Sequence, residues 1–543
     1  MTDSDGALAK EARSADGMTL ADLAREIPGG AANVEGDASV RCFGVHHDSR
    51  RVEPGDLFVV RRGEHHDGRA FVANAVARGA VAILAERGVS LDALTTGTPI
   101  LRVADVPTGL AYTAAAVYGH PAFSLEIVGI TGTNGKTTTA HLVRAAIDGA
   151  LGLPKCGVVG TIGHTYAGST IAAAHTTPEA DELARVLAVM RKRGATHVAM
   201  EVSSIALVLG RVRAVRFRVA AFTNLTQDHL DFHGSMAAYA DAKSLLFLGC
   251  EPGLAVVNID DPFGARIAAA ARCKVLRVRT RLGSPDDGDV VPLAIDARAS
   301  GTRITARVPG GTVEISSRLV GMHNVENLLV AIGVASALDL DVERAAAALV
   351  NEIGAPGRLE RCDGPDDALV VLVDYAHTPD ALARVLDAVR GVCVSPPRSA
   401  GSAPAPRLIC VFGCGGDRDA TKRAPMGEAV GARADVAIVT SDNPRTEAPE
   451  AIAAPIEEGV RATGLTRLAP EELASAAKGY VVELDRHRAI ELAIDNARPG
   501  DIVLLAGKGH EDYQIVGTTK RPFDDRAEAR AALAARRAKD ARV

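Results

Sequence analysis

The sequence feature that most limits the fold of this chain is a strand, a glycine-rich turn and a helix start between Leu125 and Thr139. The segment reads LEIVGITGTNGKTTT. Glycines allow backbone N–H groups to close around phosphate oxygens, and the N-terminus of the next helix adds positive potential. Lys136 would reach the outer phosphates of a nucleotide, and Thr137 would offer its hydroxyl to Mg²⁺. The segment therefore predicts an ATP-binding loop on a parallel α/β sheet.

This loop departs from the common phosphate-loop spacing. That pattern has a glycine five residues before Gly135, where this chain has Ile130, with Gly129 and Gly132 on either side. A glycine-rich turn before an ordinary helix is the structural alternative, but Gly-Lys-Thr directly after a strand favours phosphate binding. The loop alone does not separate a kinase, a GTPase, a transport ATPase or a ligase.

The length of 543 residues predicts more than one hydrophobic core. We predict an α/β protein of three domains. These are a small N-terminal α/β domain (1–105), a central parallel-sheet ATPase domain (106–353) and a Rossmann-like C-terminal domain (354–543). In the first domain, strand and helix signals include Asp56 to Val60 and Arg69 to Arg78.

The overall charge and hydropathy exclude two classes of partner. Lys plus Arg total 61 and Asp plus Glu total 67, so the net charge of −6 gives no positive field for nucleic acid. No apolar run reaches the length of a membrane helix, and the acidic opening segment lacks the apolar core of a signal peptide. We expect a cytoplasmic protein with reduced cysteines, no membrane insertion and a monomeric state.

The C-terminal third alternates apolar strands with helices, and each strand runs into a polar motif. The strands ALVVLV, RLICVF, DVAIVT and IVLLA are followed by DYAHTP, GCGGDRD, SDNPR and GKGHE, respectively. Loops at the carboxyl ends of parallel strands face one crevice, so the four motifs are predicted to converge. GKGHE has the wrong spacing for a second phosphate loop, and no matching helix start follows it.

Several stretches in a fixed order resemble the Mur ligase family. The loop form GTNGKT occurs in Mur ligases and folylpolyglutamate synthases. The other matching stretches are HTTP (175–178), MEVSS (200–204), TNLTQDHLDFHG (223–234), AK (242–243), NVEN (324–327), DYAHTP (374–379) and the C-terminal motifs. The resemblance covers nearly the whole chain and implies an ATP-dependent, amide-forming ligase of peptidoglycan precursor synthesis.

Besides Lys136, which is also a catalytic residue, three catalytic residues follow from this resemblance. Glu201 also ends an apolar segment, so a strand-end carboxylate is expected to face the phosphate loop and hold Mg²⁺ directly or through water. His229 matches the second metal ligand of the family, whereas an isolated histidine would more often be a surface or core residue. Lys243 matches a lysine that the family carries as a CO₂-derived carbamate. Its alternative is a solvated helix lysine, which as a protonated amine could not bind Mg²⁺. Two Mg²⁺ ions are implied, with Thr137, Glu201, His229 and Lys243 at the metal sites.

The resemblance also implies three binding sets. ATP would be bound by Gly132, Thr133, Asn134, Gly135, Lys136, Thr137, Thr138, Asn324, Arg358, Asp374 and His377. The UDP-sugar substrate would be bound by His47, Ser49, Glu64, His65, His66, Thr176, Thr177, Ser203 and Arg211. The amino acid would be bound by Arg418, Asp442, Asn443, Pro444, Arg445, Gly507 and Glu511. His377 has a structural alternative, a hydrogen bond within a turn.

Two positions depart from the family pattern. Ile205 stands where the family often has His, and Leu209 stands where relatives can have Gln. These departures affect individual substrate contacts and not the reaction, because the phosphate and metal positions match the family pattern.

The implied reaction transfers the γ-phosphoryl group of ATP to a carboxylate of a UDP-muramoyl dipeptide, and an amine then attacks the acyl phosphate. Asp442-Asn-Pro-Arg445 resembles the motif of the family members that add meso-diaminopimelate, and lysine-adding relatives lack this arginine. The alternatives are a lysine-adding ligase, a folylpolyglutamate-type ligase and a non-catalytic nucleotide switch. A folylpolyglutamate-type ligase would lack DNPR, and the combination of Glu201, His229 and Lys243 argues against the switch.

Overall fold

The computed structural model describes residues 10–30, 32–61, 67–91, 97–285, 287–298, 301–393 and 405–540. The chain is of the α/β class, as predicted, and forms two compact units. Unit 1 contains Met1–Pro292, Ala306–Val313 and Asn327–Ala348, and unit 2 contains Leu293–Thr305, Glu314–Glu326 and Leu349–Val543. Within the described ranges, no helix is long and apolar enough to cross a bilayer.

A five-stranded sheet forms the N-terminal part of unit 1. Its strand order is Ala32–Glu35, Ile100–Val103, Ala82–Glu86, Asp56–Val59 and Gly44–His46, and only the first pairing is antiparallel. The short strands Met18–Thr19 and Arg41–Cys42 pair beside it. Helices here are Leu20–Glu26, Val72–Ala77 and Val106–Val117. Asp56–Val59 is buried throughout, as expected of a parallel strand covered on both faces.

The α-helix predicted between Arg69 and Arg78 is shorter in the structure. The chain forms a 3₁₀ turn over Gly68–Phe71 and then the α-helix Val72–Ala77. The Asp67 side chain accepts a hydrogen bond from the Arg69 N–H, which stabilises the tighter turn at this end.

An eight-stranded sheet forms the core of unit 1. Its order is Ser169–Ile171, Gly163–Tyr166, Cys156–Gly160, His197–Glu201, Glu126–Thr131, Phe217–Phe222, Leu254–Asn258 and Lys274–Val278. The last six strands run parallel. Its helices are Lys136–Leu151, Ala180–Lys192, Ser204–Val208, Leu230–His233, Met236–Leu248 and Pro262–Ala270. Glu126–Thr131 lies between His197–Glu201 and Phe217–Phe222, so the segments after these three strands meet at one edge of the sheet.

The chain then forms a three-stranded sheet and two helices. The strands are Val291–Arg298, Gly301–Val308 and Gly311–Ser317, and the helices are Met322–Ala337 and Val342–Ala348.

A six-stranded sheet forms the core of unit 2. Its order is Glu360–Arg361, Val370–Asp374, Ile502–Ala506, Leu408–Phe412, Val436–Val439 and Gly479–Val482, and the last five strands are parallel. Its helices are Pro379–Cys393, Arg423–Gly431, Pro449–Ala462, Arg486–Asp495 and Asp525–Asp540.

The four strands predicted to carry polar motifs are neighbours in this sheet, which confirms that the motifs share one edge. GKGHE is followed by a hairpin of Tyr513–Val516 and Thr519–Pro522 and not by a helix, as expected. Most of the Pro/Ala/Ser run after the helix Pro379–Cys393, which the sequence predicts to be a mobile loop, lies outside the described residues. The predicted domain limits at 105 and 353 remain a prediction.

Candidate active site

The predicted phosphate loop connects the central strand of the unit 1 sheet to the helix Lys136–Leu151. Gly135 precedes that helix with φ +83°, and a Cβ there would lie 2.3 Å from Asn327 Oδ1. A Cβ on Gly132 would meet the Thr223 hydroxyl even more closely. Glycine is therefore required at both positions, because neighbouring side chains pack directly on the loop.

Two lysines converge on the Gly132 carbonyl oxygen. Lys136 Nζ donates hydrogen bonds to the carbonyls of Gly132 and Thr133, both at 3.0 Å, and Lys243 Nζ donates to Gly132 O at 2.8 Å. Burial, reinforced by the Lys136 charge, lowers the pKa of Lys243 to about 6. At neutral pH Lys243 is thus mainly an uncharged amine and not the solvated lysine of the structural alternative.

Glu201 ends its strand directly beside the loop, as predicted. Its carboxylate is fully buried and accepts hydrogen bonds from the Thr137 hydroxyl (2.8 Å) and the Thr161 backbone N–H (2.8 Å). Burial raises the pKa of Glu201, and Lys136 opposes that change. The pair of Thr137 and Glu201 supplies the hard oxygen donors that Mg²⁺ prefers.

Whether this site can hold a metal ion depends on how many ligands the protein supplies. Within the described part of the chain, no group of three or more His, Cys, Asp or Glu side chains could hold a metal ion. Mg²⁺ commonly uses one or two carboxylates together with water and substrate phosphates. The oxygen donors at Thr137 and Glu201 fit such a site.

His229 lies beside Tyr239, whose hydroxyl contacts the phosphate loop. It is exposed, has a left-handed backbone (φ +50°), and its Nε2 lies 3.6 Å from Asp228 Oδ2. Its ring centroid is 6.1 Å from that of Tyr239, over whose ring Lys243 Nζ lies at 4.4 Å. The Tyr239 hydroxyl is 3.2 Å from the Thr133 hydroxyl. Tyr239 therefore connects His229, Lys243 and the loop.

Polar residues after the strand Phe217–Phe222 fix the tip of the loop. Asn224 Oδ1 accepts a hydrogen bond from the Asn134 N–H (2.9 Å), and the Thr226 hydroxyl accepts one from the Asn134 side chain (3.1 Å). Thr138 is buried in the first turn of the following helix. The motif assigned to metal binding thus also shapes the phosphate loop.

The residues predicted to hold the UDP substrate lie directly beyond Glu201. The Thr177 hydroxyl donates to Glu201 O (2.8 Å) and accepts from the Ser203 N–H (3.0 Å), and Thr176 lies 3.0 Å from Thr161. Arg211 donates to Thr177 O at 3.0 Å. This set is therefore continuous with the phosphate loop.

The N-terminal sheet contributes to the same surface. His47 Nδ1 lies 2.8 Å from Asp181 Oδ1, and Arg61 pairs with Glu179 at 2.6 Å. Ser49 is buried in a 3₁₀ turn. Glu64, His65 and His66 lie outside the described residues.

In unit 2, three predicted ATP-site residues surround Tyr375. The Arg358 guanidinium lies 5.0 Å from the ring centroid of Tyr375, and His377 Nδ1 lies 2.8 Å from Tyr375 O. The buried Asp374 carboxylate accepts hydrogen bonds from the N–H groups of Leu359 and Ala376, both at 2.8 Å. The contact of His377 with Tyr375 O is the hydrogen bond within a turn that was the alternative to ATP binding.

Asn324, also predicted to contact ATP, is buried and donates through Nδ2 to Val320 O at 2.9 Å. Its neighbour in the same motif, Asn327, accepts a hydrogen bond from the Thr139 hydroxyl at 3.1 Å. Asn327 therefore supports the phosphate loop and is absent from the predicted set.

The predicted amino-acid residues converge at the edge of the unit 2 sheet. Asn443 Nδ2 donates to Glu511 Oε2 at 3.0 Å, and a Cβ on Gly507 would lie 3.7 Å from Asp442 Oδ2. Arg445 donates to Gly416 O at 2.7 Å. Pro444 is buried, and Arg418 is exposed in the neighbouring loop.

Three family models match the chain. They are the Mur ligase family catalytic domain over residues 43–124, the Mur ligase middle domain over 130–335 and the Mur ligase glutamate ligase domain over 357–509. A UDP-N-acetylmuramoyl-L-alanyl-D-glutamate–2,6-diaminopimelate ligase of Geobacter metallireducens is 43% identical over 95% of this chain and 98% of its own length. The chain belongs to the Mur ligase family. It is accordingly an ATP-dependent amide-forming ligase.

Two further relatives of this Mur ligase carry the same name. A ligase of the same name from Gloeobacter violaceus is 45% identical over 91% of this chain and 94% of its own length. A solved structure of a UDP-N-acetylmuramoyl-L-alanyl-D-glutamate–2,6-diaminopimelate ligase has 31% identity, covers 96% of this chain and 99% of that chain, and has a TM-score of 0.67.

Several residues of this Mur ligase site were missed from the sequence. Asn327 stands in a motif already recognised, one helical turn after Asn324, so its spacing was an available signal. Tyr239 lies one turn before Lys243 on the same helix face, which was a second signal. Thr161 carries no signal, because it follows a strand without a polar motif and meets Glu201 only through the order of the sheet.

Proposed function

We propose that the chain joins 2,6-diaminopimelate to the glutamate carboxylate of UDP-N-acetylmuramoyl-L-alanyl-D-glutamate, using ATP. The observation that carries this proposal is the convergence of Asn443, Arg445 and Glu511 at one edge of the unit 2 sheet. Diaminopimelate has a distal carboxylate and a distal ammonium. An arginine and a glutamate at the same edge of the sheet match those two charges.

The first half of the reaction takes place at the phosphate loop. A carboxylate oxygen of the UDP substrate attacks the γ-phosphorus of ATP, the bond to the β-phosphate oxygen breaks, and an acyl phosphate and ADP form. The Lys136 ammonium, which lies over the loop, would stabilise negative charge on the phosphoryl oxygens. Thr137 and Glu201 would hold Mg²⁺, which when bound neutralises charge on the phosphates.

Lys243 is proposed to carry a carbamate formed with CO₂. An uncharged amine is required to attack CO₂, and the lowered pKa of Lys243, about 6, keeps the amine uncharged at neutral pH. Carboxylation would replace the donor to Gly132 O with an anion within reach of the Tyr239 ring and the phosphate loop. We propose His229, on the other side of Tyr239, as a ligand of a second Mg²⁺.

The second half joins the amine of the amino acid to the activated carbonyl. The amine lone pair attacks the acyl carbon, phosphate leaves with the electron pair of the C–O bond, and the nitrogen gives up a proton to water. Thr176, Thr177, Ser203 and Arg211 would orient the UDP substrate, because they lie next to Glu201 and carry hydroxyl and guanidinium donors. We further propose that the enzyme acts as a monomer in the cytoplasm, in peptidoglycan precursor synthesis.

The proposal is tested with purified protein, ATP, Mg²⁺, the UDP-muramoyl dipeptide and a panel of amino acids. Phosphate release and the mass of the product are measured together. Phosphate should appear only when both the UDP substrate and diaminopimelate are present, with an equal amount of UDP-muramoyl tripeptide. Phosphate release with a folate substrate, or without any acceptor, would contradict the assignment. Size-exclusion chromatography with light scattering measures the monomeric state.

A further inference from the structure

The GKGHE loop after the strand Ile502–Ala506 contains a lysine that the substrate assignments do not use. The side chain of Lys508 is 0% exposed. An enclosed ammonium is costly unless charged or polar groups compensate it. The surroundings of Lys508 therefore indicate what it does.

Lys508 Nζ has four polar neighbours. It donates hydrogen bonds to Tyr513 O at 2.7 Å and to Asn443 Oδ1 at 3.1 Å. It also lies 3.3 Å from Asp442 Oδ1 and 3.8 Å from Glu511 Oε2. Three of these neighbours, Asp442, Asn443 and Glu511, belong to the proposed amino-acid site.

The contact with Asn443 fixes the orientation of its amide. Asn443 Oδ1 accepts from both Lys508 Nζ and the Ile515 N–H, the latter at 2.9 Å. With the oxygen held by two donors, the Asn443 NH₂ group is directed to Glu511 Oε2 at 3.0 Å. A flipped amide would place an NH₂ group against the Lys508 ammonium.

The same lysine connects the DNPR loop to the hairpin that follows GKGHE. The Arg445 N–H donates to Ile515 O at 3.0 Å, and Gln514 Nε2 donates to Asp442 O at 2.8 Å. Lys508 lies at the centre of this contact, since it bonds to both Asn443 and Tyr513. Its loss would free the loop and the hairpin to move apart.

We propose that Lys508 is a positioning residue for the incoming amino acid, holding Asn443 and Glu511 in the arrangement that receives the ligand. This inference rests on the proposed function. Lys508 itself is enclosed and does not contact the ligand, so it acts through these neighbours. Its positive charge also balances one of the two carboxylates, Asp442 and Glu511, that lie in the same crevice.

The test substitutes Lys508→Met, which keeps an unbranched side chain but removes the charge and the donors. The KM for diaminopimelate should rise on the order of 10-fold or more, because hydrogen bonds that involve charged groups are lost. The KM values for ATP and the UDP substrate should change less than about twofold. Lys508→Gln, which retains an N–H donor without the charge, should give an intermediate KM.

Lys520→Met is the matched control. Lys520 Nζ lies over the same Tyr513 ring at 3.6 Å, but Lys520 is exposed. Its loss should leave all three KM values unchanged. Circular dichroism and binding of the UDP substrate show whether each variant is folded.

Two results would overturn the inference: an unchanged diaminopimelate KM in folded Lys508→Met, or equal losses for all three substrates. Unfolding of both Lys508 variants would also overturn it, in favour of a purely structural role. Failure of the proposed function would instead appear in the native protein, as no ligation of diaminopimelate. The KM comparison would then use the amino acid that the native protein accepts.

Discussion

His47 Nδ1 lies 2.8 Å from Oδ1 of Asp181, a carboxylate that is fully buried in the helix Ala180–Lys192. The backbone N–H of His47 also donates a hydrogen bond to Asp181 Oδ2, at 3.3 Å. Arg185, one turn further along, lies 3.2 Å from Asp181 and donates to Val45 O at 2.7 Å. The N-terminal sheet is thus fixed to the helix that follows Thr176 and Thr177.

The charges of His47, Asp181 and Arg185 determine the protonation of His47 and Asp181. The Asp181 carboxylate raises the pKa of His47 above its ordinary value, against burial and the Arg61 charge, with Glu179 adding to the rise. Burial would raise the pKa of Asp181, but His47 and Arg185 hold it well below its usual range. A protonated His47 suits a diphosphate, so Asp181 would control this predicted contact with the UDP substrate.

Asp181→Asn should therefore raise the KM for the UDP substrate mainly toward alkaline pH. The native His47 stays protonated to higher pH than an ordinary histidine, whereas in the variant it loses its proton earlier. The difference should narrow as pH falls, because His47 then gains its proton in both proteins. KM measured from pH 6 to pH 9 tests this, and a rise that is equal at every pH would contradict it.

The same pair predicts a pH dependence of the free energy of unfolding. The raised pKa of His47 means that its contribution is fully present below the unfolded-state pKa and is lost as pH rises through the folded-state pKa. The depressed pKa of Asp181 means that its contribution is lost only as pH falls through that low value. Urea titrations should show that the free energies of unfolding of the native protein and of His47→Ala differ least at alkaline pH.

Lys243→Ala should reduce kcat by roughly two to three orders of magnitude, a size typical when a charge-stabilising group is removed from an active site. The fold should remain intact, and Lys274→Ala, an exposed lysine of the same unit, should have normal kcat. Carbon-13 bicarbonate should give a carbamate NMR signal in the native protein and in Lys274→Ala. Unimpaired ligation by Lys243→Ala, or the absence of that signal from the native protein, would contradict the carbamate.

The sequence predicted the parts of the site that depend on local patterns. The loop from Gly132 to Thr137 needs only a strand, glycines and a helix start, and the polar motifs of unit 2 need only successive parallel strands. Contacts such as Thr161 with Glu201 and Asp181 with His47 depend on sheet order and on packing between distant segments. No periodic or compositional signal encodes them.

Leu209→Gln tests one departure from the family pattern. Leu209 directly follows the helix Ser204–Val208 and is 36% exposed, so a longer polar side chain can be accommodated. The KM for the UDP substrate should change only a few fold, because one neutral hydrogen bond contributes about 0.5–1.5 kcal/mol. A change confined to the KM for diaminopimelate would show that Leu209 does not belong to the UDP-substrate site.

Arg486 and Asp525 form an ion pair at 2.6 Å with both side chains 0% exposed. Arg486 also donates to Ala506 O at 3.0 Å, at the end of the strand that leads into GKGHE. Arg486→Met should lower the free energy of unfolding by about 3–5 kcal/mol, because Asp525 remains buried without its partner. Adding Asp525→Asn should recover part of that loss, and urea titrations of both variants measure it. Two additive losses would contradict the pairing.

The choice of diaminopimelate over lysine should depend largely on Arg445. The two amino acids differ at the far end, where diaminopimelate has a carboxylate beside its distal amine. Arg445 has φ +52° and donates through Nη1 to Gly416 O at 2.7 Å, which fixes the direction of its guanidinium. Lysine would leave this cation without an anionic partner, and sites built for a polar group can reject analogues that lack it by roughly 10⁴-fold.

Arg445→Ala should lose most diaminopimelate activity without gaining much for lysine, because Arg418 and Glu511 still favour the original ligand. Arg445→Lys should retain only part of the activity, since an ammonium cannot reproduce the two-pronged contact with a carboxylate. kcat/KM for both amino acids, measured in the native protein and the two variants, tests this. Equal ligation of lysine and diaminopimelate by the native protein would make the assignment of the DNPR motif wrong. The proposal of acyl-phosphate chemistry would be unaffected, because it rests on Lys136 and Glu201 and not on the DNPR motif.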